Sequence, residues 1–210
     1  MLKLYYAPGT VALACHITLE ETDAVYEAHR LNFPEGEQRS PGYLSVNPKG
    51  RVPALVTRRG ILTETPAILA YIAQAYPIAE LAPADVFDFA EAQAFTNYLS
   101  STVHVAHAHR MRGNRWADEP SSIEDMKRKV SETMGAAVDL IENGMLKGPW
   151  VMGERFTICD PYLYTVSRWL DVDDVPADRH PKVRDHMRRM EERPSVKAAL
   201  EEQGLKPLTS

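Results

Sequence analysis

The sequence predicts an α+β protein in which a small mixed sheet with packed helices precedes an all-helical region. Strand and helix patterns alternate over the first 76 residues of the 210-residue chain. After a Pro- and Ala-rich segment at 77–85, strand signals nearly disappear. We therefore expect a first domain over 1–76, a linker over 77–86 and a helical domain over 87–210.

The first half of the chain is predicted to contain strand, helix, strand, surface loop, hairpin and helix, in that order. The hairpin connection is "RRG", which ends at Gly60. Thr65 is the predicted N-cap of the last helix, with Pro66 at the first helical position. The predicted ranges are 2–6, 12–22, 26–32, 33–42, 51–57 with 61–63, and a helix whose first helical position is 66.

The second half is predicted to be helical throughout. Thr157 and Asp160 stand three residues apart before an apolar run, which resembles a capping box with Asp in place of Glu. The predicted helices span 87–112, 121–143, 160–170, 181–192 and 195–203.

Composition and charge narrow the possible functions. A net charge of −5 disfavours nucleic-acid binding, which needs a basic surface. No stretch approaches the ~20 apolar residues that span a bilayer, and the chain enters a strand pattern at once, so we expect a cytoplasmic protein with no membrane partner. The two cysteines, Cys15 and Cys159, are predicted to be buried and reduced.

Three short segments are candidate ligand contacts, although each also has a purely structural explanation. Thr10 precedes a helix, where its hydroxyl either caps the first turn or faces an anion. Pro53 begins a strand and cannot donate to the sheet, which leaves neighbouring backbone groups for another partner. Glu64 and Thr65 place a carboxylate and a hydroxyl at a second helix start. Together these features suit an extended peptide with an α-amino acid end.

The chain resembles the cytosolic glutathione transferases, most closely the bacterial beta class, over nearly its whole length. The motifs that carry the resemblance are "KLYYAPGT", "NPKGRVPAL", "LTETPAILAYI", "NYLSSTVH", "FTICDPYLYTVSRW" and "RPSVKAAL", in that order. The resemblance implies a thioredoxin-like N-terminal domain, a helical C-terminal domain and glutathione as co-substrate. It also implies a bacterial detoxification enzyme that forms a homodimer.

The resemblance assigns glutathione contacts to matching positions. Val52 would pair through its backbone with the cysteinyl unit, next to a cis Pro53, and Glu64 and Thr65 would hold the γ-glutamyl end. The full implied set of glutathione contacts is Val11, Arg51, Val52, Pro53, Glu64, Thr65, Asn97 and His104. Near the glycyl carboxylate, Glu35 and Glu37 stand where relatives often have a basic residue, so either Arg39 substitutes for it or the affinity for glutathione is weaker than usual.

The chain departs from the beta class at the turn before the first helix. Val11 occupies the position where that class usually has a cysteine, and Cys15 lies one helical turn further on. We therefore predict that the glutathione sulfur is itself the nucleophile and that the Thr10 hydroxyl donates to it. Tyr6 and His104 are the alternative catalytic groups for that role.

The predicted function is conjugation of glutathione to small, largely hydrophobic electrophiles. The predicted electrophile pocket consists of Val11, Val105, Ala108, Met111 and Arg112. No metal is expected, because the histidines at 104, 107 and 109 lack a completing carboxylate or cysteine. Two alternatives stay open: a glutathione-dependent disulfide reductase or peroxidase, and a non-catalytic protein that binds glutathione or other ligands.

Overall fold

The sheet of the N-terminal half has four strands in the order β2-β1-β3-β4. The computed structural model describes residues 1–209. For Ala177 it describes the backbone but not the side chain. Strand β2 is parallel to β1, while β3 is antiparallel to β1 and to β4. The strands are β1 (Leu2–Tyr6), β2 (Tyr26–Arg30), β3 (Ala54–Thr57) and β4 (Gly60–Thr63).

Helices cover both faces of this sheet. Because side chains alternate along β1, Leu2, Leu4 and Tyr6 are buried on one face of the sheet. Leu2 and Leu4 share a hydrophobic cluster with Ala14 and Ile68, which belong to the helices on that face. On the other face Tyr5 contacts Tyr43, with ring centroids 5.4 Å apart. The helices of this half are α1 (Ala12–Glu20), α2 (Pro41–Val46) and α3 (Thr65–Ala75). This arrangement confirms the small mixed sheet with packed helices.

The loop before α2 and the N-caps of α3 and α1 differ from the predicted ones. The expected surface loop at 33–42 ends early, because Ser40 caps α2 by accepting the N–H of Tyr43 at 3.2 Å and Pro41 opens the helix. The N-cap of α3 is Glu64, with φ of 72°, and Thr65 is already helical. At α1 the N-cap is Val11, one residue after Thr10.

The C-terminal half is helical, as predicted. The predicted helix over 87–112 is continuous, because a π-helical turn at Leu99–Val103 joins its two α-helical parts. Its helices are α4 (Val86–Tyr98), α5 (His104–Arg112), α6 (Pro120–Leu140), α7 (Cys159–Ser167), α8 (Pro181–Glu192) and α9 (Pro194–Gln203). In the described part of the chain, no helix has the length and apolar character needed to cross a membrane.

Helix α1 lies at the centre of the molecule. Every residue from Ala12 to Leu19 is buried, and α1 packs against α3, α7 and α9. Its Leu13 and Ile17 share a cluster with Tyr164 of α7 and Leu200 of α9. A helix that is apolar on all sides is expected in such a position. The two halves of the chain therefore share a core through α1.

Both cysteines are buried, as predicted. Burial raises the pKa of the Cys15 and Cys159 thiols, so neither sulfur is a ready nucleophile.

Asp160 holds the start of α7. Its fully buried carboxylate accepts the N–H of Val151 at 2.8 Å and that of Thr157 at 2.7 Å, and pairs with Nε2 of His186 at 3.0 Å. Thr157 in turn accepts the N–H of Cys159 at 3.3 Å. These contacts have the reciprocal form of the predicted capping box.

We expect Asp160→Ala to lower the free energy of unfolding by about 3 kcal/mol, because it leaves buried N–H groups without an acceptor. Urea unfolding followed by circular dichroism measures the change. The control is Asp125→Ala, whose exposed carboxylate pairs with Arg128 three residues along α6, and which should cost less than about 0.5 kcal/mol. Equal losses in the two variants would contradict this account of Asp160.

Candidate active site

The turn between β1 and α1 forms one end of a cleft between the two halves of the chain. Gly9 has φ of 71°, a conformation that favours glycine. The Thr10 hydroxyl donates to the carbonyl of Ala7 at 2.7 Å and accepts the N–H of Ala12 at 3.4 Å. Within residues 1–209 the N–H of Val11 has no acceptor. The turn therefore presents a hydroxyl and a free N–H at the start of a buried helix.

The segment before β3 forms the middle of the cleft. The Val52–Pro53 bond is cis, as the resemblance implied. The carbonyl of Arg51 accepts from Nδ2 of Asn47 and from the Tyr43 hydroxyl, both at 2.6 Å. In the described chain no backbone hydrogen bond involves Val52. Its N–H and C=O are thus available to an extended ligand.

The start of α3 forms the other end of the cleft. The exposed Glu64 carboxylate pairs with Lys49, whose ammonium also donates to Oγ1 of Thr63 at 2.7 Å. Thr65 is 4% exposed and lines the cavity beside Val52 and Pro53. A carboxylate and a hydroxyl therefore lie together at a helix N-terminus, as predicted.

Two connected cavities make up the cleft. The smaller, of about 160 Å³, extends from Thr65 to α5, and the larger, of about 470 Å³, lies between the β1–α1 turn and α5. They share lining residues on both sides of the cleft, so we treat them as one site. The shared residues are Val11, Arg51, Val52, His104 and Arg115.

The structure brings most of the predicted site residues to this cleft. Thr10 and Arg112 line the larger cavity, while Val105 and Ala108 line the smaller one. The predicted glutathione contacts that line the cleft are Val11, Arg51, Val52, Pro53, Glu64, Thr65 and His104.

Three predicted site residues lie outside the two cavities. Alternation along β1 turns Tyr6 toward α1, where its buried ring lies 5.4 Å from that of His16 and burial raises the phenol pKa. Asn97 is exposed on α4 and donates to the carbonyl of Gln93 at 2.9 Å. Met111 is 77% exposed. We therefore withdraw Tyr6 as a catalytic candidate and Met111 as a residue of the electrophile pocket.

Sequence reasoning missed a group of side-chain contacts at the wall of the larger cavity. Nε1 of Trp169 donates to the carbonyl of Gly9 at 3.2 Å, across the two halves of the chain. The ring of His107 stacks on Trp169 at 4.2 Å, and its Nδ1 lies 2.8 Å from Oδ2 of the buried Asp173. Trp169 therefore supports both the β1–α1 turn and His107. No local signal indicates these contacts, since the partners are up to 160 residues apart.

Four arginines line the larger cavity. Arg39 and Arg51 come from the N-terminal half, and Arg112 and Arg115 from the segment at the end of α5. In residues 1–209 no carboxylate forms a salt bridge with any of them. Burial, followed by the charges of Arg115 and Arg51, lowers the pKa of Arg112. The cleft is therefore strongly cationic, in contrast to the negative chain.

His104 lies between the two cavities and is held in its neutral form. Burial is the main cause that lowers its pKa to about 3, and the charge of Arg112 is the next. Its ring also contacts Trp169, with centroids 5.1 Å apart. At neutral pH His104 therefore adds no positive charge to the cleft.

A possible metal-ligating group lies elsewhere. Ligand atoms of His16, Glu20 and Glu202 fall within 4.8 Å of one another, but none of these residues lines the cleft. Both ring nitrogens of His16 already have partners, Glu202 and Gln203, each at 3.0 Å.

A thioredoxin-like sheet with a cis-proline beside the β1–α1 turn, opposed by a helical domain, defines a class of proteins that bind thiol-containing peptides. Family models described as "Glutathione S-transferase, N-terminal domain" and "Glutathione S-transferase, C-terminal domain" match residues 1–74 and 88–194. The chain belongs to the glutathione S-transferase family.

Individual relatives agree with this assignment. Glutathione S-transferase GstA of Escherichia coli O157:H7 is 32% identical, over 98% of this chain and all of the relative. A glutathione transferase homologue from Sulfitobacter, solved with bound glutathione, is 47% identical with a TM-score of 0.94, over 98% of this chain and 99% of that one. A bacterial beta class enzyme of Sphingomonas chungbukensis is 30% identical with a TM-score of 0.83, over 97% of this chain and all of its own.

We expect the His104 ring to stay neutral between about pH 5 and pH 8, well above its folded-state pKa of about 3. Proton NMR titration, with the resonance assigned through His104→Gln, should find no midpoint in that range. Arg112→Gln should raise the pKa, because it removes a neighbouring cation. Since the unfolded chain binds this proton at about pH 6.5, stability should fall below that pH. A titration midpoint of about 6.5 for His104 in the folded protein would contradict the prediction that its ring is neutral.

Proposed function

We propose that the protein conjugates the thiolate of glutathione to small electrophiles. The observation that carries the proposal is the continuous cleft from the Glu64–Thr65 helix start, past the free backbone of Val52, to the hydroxyl and N–H of the β1–α1 turn. Its groups match the ends and the middle of a γ-glutamyl tripeptide. A beta-class relationship is part of the proposal, supported by the likeness to the Sphingomonas enzyme. Assembly as a cytoplasmic homodimer stays a prediction.

Each part of the tripeptide has a complementary group. Glu64 and Thr65 would bind the γ-glutamyl ammonium and carboxylate, and the backbone of Val52 would pair with the cysteinyl unit. This places the sulfur at Thr10 and Val11. Arg39 and Arg51, which line the larger cavity, are cations suited to the glycyl carboxylate.

The protein's part in the reaction is to stabilise the thiolate. A free thiol has a pKa of ~8.5, and lowering it by about 2 requires ~2.7 kcal/mol. A hydrogen bond to a charged group supplies ~1.5–3 kcal/mol, and the start of a helix adds ~0.3–1 kcal/mol. The N–H of Val11 is already free, whereas the Thr10 hydroxyl must exchange its bond to Ala7 for one to the sulfur.

The conjugation step uses the sulfur lone pair. The thiol first releases its proton to solvent, and the sulfur then forms a C–S bond with the electrophilic carbon. In a substitution, the leaving group departs with the electron pair of its bond. In an addition, the displaced pair moves to the adjacent carbon, which takes a proton from solvent.

Two alternatives compete with conjugation. A disulfide reductase that works through a mixed disulfide needs a reactive cysteine, but Val11 occupies the turn and burial raises the pKa of both thiols. A non-catalytic binding protein would keep the cleft without turnover.

Parallel assays of the purified protein separate these functions. We expect conjugation of 1-chloro-2,4-dinitrobenzene at about pH 6.5, where little free glutathione is thiolate. We expect no comparable reduction of hydroxyethyl disulfide. Reductase activity without conjugation would support the reductase, and retention on immobilised glutathione without either activity would support a binding protein.

We expect Thr10→Ala to raise the pKa of bound glutathione by more than about one, because the sulfur loses a hydroxyl donor. The measurement is the thiolate absorbance at about 240 nm as a function of pH. Thr10→Ser is the matched control and should retain the wild-type pKa. An unchanged titration in Thr10→Ala would assign the role to His104 or to the N–H of Val11 instead.

A further inference from the structure

The larger cavity carries more positive charge than glutathione needs. Four guanidinium groups line it, and Glu64 is the only acid that lines either cavity among residues 1–209. Glu64 is already paired with Lys49. Guanidinium groups that line one cavity repel one another, so an anionic ligand between them is stabilising.

The charges of glutathione account for only part of this excess. Its γ-glutamyl end carries a carboxylate and an ammonium that offset each other, and these lie at Glu64 and Thr65 in the proposed pose. The glycyl carboxylate faces Arg39 and Arg51, and the thiolate lies at the β1–α1 turn. Arg112 and Arg115, on the opposite wall, have no anionic group of the tripeptide assigned to them.

Arg112 is poorly provided with partners inside the protein. Its Nε is buried without a hydrogen-bond acceptor in the described residues. The carboxylate of Asp173 is near enough to act against the lowering of the Arg112 pKa, but in the described residues it forms no salt bridge with Arg112 and pairs with His107 through Oδ2. A guanidinium group without a salt-bridge partner in the protein can donate two parallel hydrogen bonds to a ligand carboxylate.

We propose that the second substrate is an electrophile that carries a carboxylate, which Arg112 and Arg115 bind while the thiolate attacks the nearby carbon. This inference rests on the proposed conjugation activity and names its substrate class. It replaces the largely hydrophobic electrophile that the sequence predicted. Val105, Ala108 and Trp116 line the smaller cavity and supply an apolar wall for the carbon skeleton.

The test uses 4-chloro-3,5-dinitrobenzoate and its methyl ester, two electrophiles with the same reacting ring in which one methyl group removes the negative charge. The sulfur displaces chloride from the same ring position in both. Each kcat/KM is divided by the uncatalysed rate constant with glutathione, which removes the difference in intrinsic reactivity. We expect the carboxylate to be preferred about ten-fold, which corresponds to ~1.4 kcal/mol and is within reach of one charge-assisted hydrogen bond. The preference should shrink as salt is added.

Variants locate the preference in the protein. Arg112→Gln should lower the normalised kcat/KM about ten-fold for the carboxylate and less than about two-fold for the ester. Arg110→Gln is the matched control: it removes the same charge from the same helix, but Arg110 pairs with Asp174 at 2.8 Å and lines neither cavity. Equal treatment of the two electrophiles, or equal losses in Arg112→Gln, would overturn the inference.

Binding of the two glutathione conjugates, measured by titration calorimetry, separates this inference from the proposed function. If neither electrophile is turned over but the carboxylate conjugate binds more tightly in an Arg112-dependent manner, the anion site stands and conjugation fails. If conjugation proceeds without any preference for the carboxylate, conjugation stands and the anion site fails.

Discussion

The complete burial of α1 is the constraint on which the rest of the structure depends. Because this helix packs against α3, α7 and α9, its N-terminus has a fixed position relative to both halves of the chain. The Trp169 hydrogen bond to the carbonyl of Gly9 then fixes the turn that precedes it. The proposed sulfur site therefore lies at a junction of rigid elements, which lets the Thr10 hydroxyl and the Val11 N–H keep their geometry.

The same junction explains the electrostatics of the cleft. The N-terminal half contributes the peptide-binding edge and two arginines, and the end of α5 contributes two more from the other side. His104 stays neutral between them, since burial and the charge of Arg112 both oppose its protonation. The positive charge of the site is thus carried by the four guanidinium groups, and His104 adds none at neutral pH.

Local patterns predicted the order of the strands and of the longer helices but missed α2, and the family resemblance supplied most of the cleft residues. Apolar spacing located β1, the β3–β4 hairpin and the long helices, because burial dictates that spacing. The same logic placed the N-caps of α1 and α3 one residue away, at Thr10 and Thr65 instead of Val11 and Glu64. It also placed Tyr6 in the site, although strand alternation turns this ring into the core. The contacts of Trp169 join distant parts of the chain and leave no trace in any short window of sequence.

The arginines of the larger cavity also explain how an anionic electrophile can approach a thiolate of the same charge. Two unit charges about 4 Å apart repel by ~4 kcal/mol at an effective dielectric constant of about 20, as much as the hydroxyl and the helix start supply together at the upper limits of their ranges. Apolar walls alone would strengthen this repulsion, because they lower the local dielectric constant. Guanidinium groups on the side of the cavity opposite the turn offset the electrophile's charge while leaving the sulfur undisturbed at Thr10. Conjugation of a carboxylate-bearing substrate is therefore consistent with this cleft because the cations that bind the electrophile are separate from the groups that stabilise the thiolate.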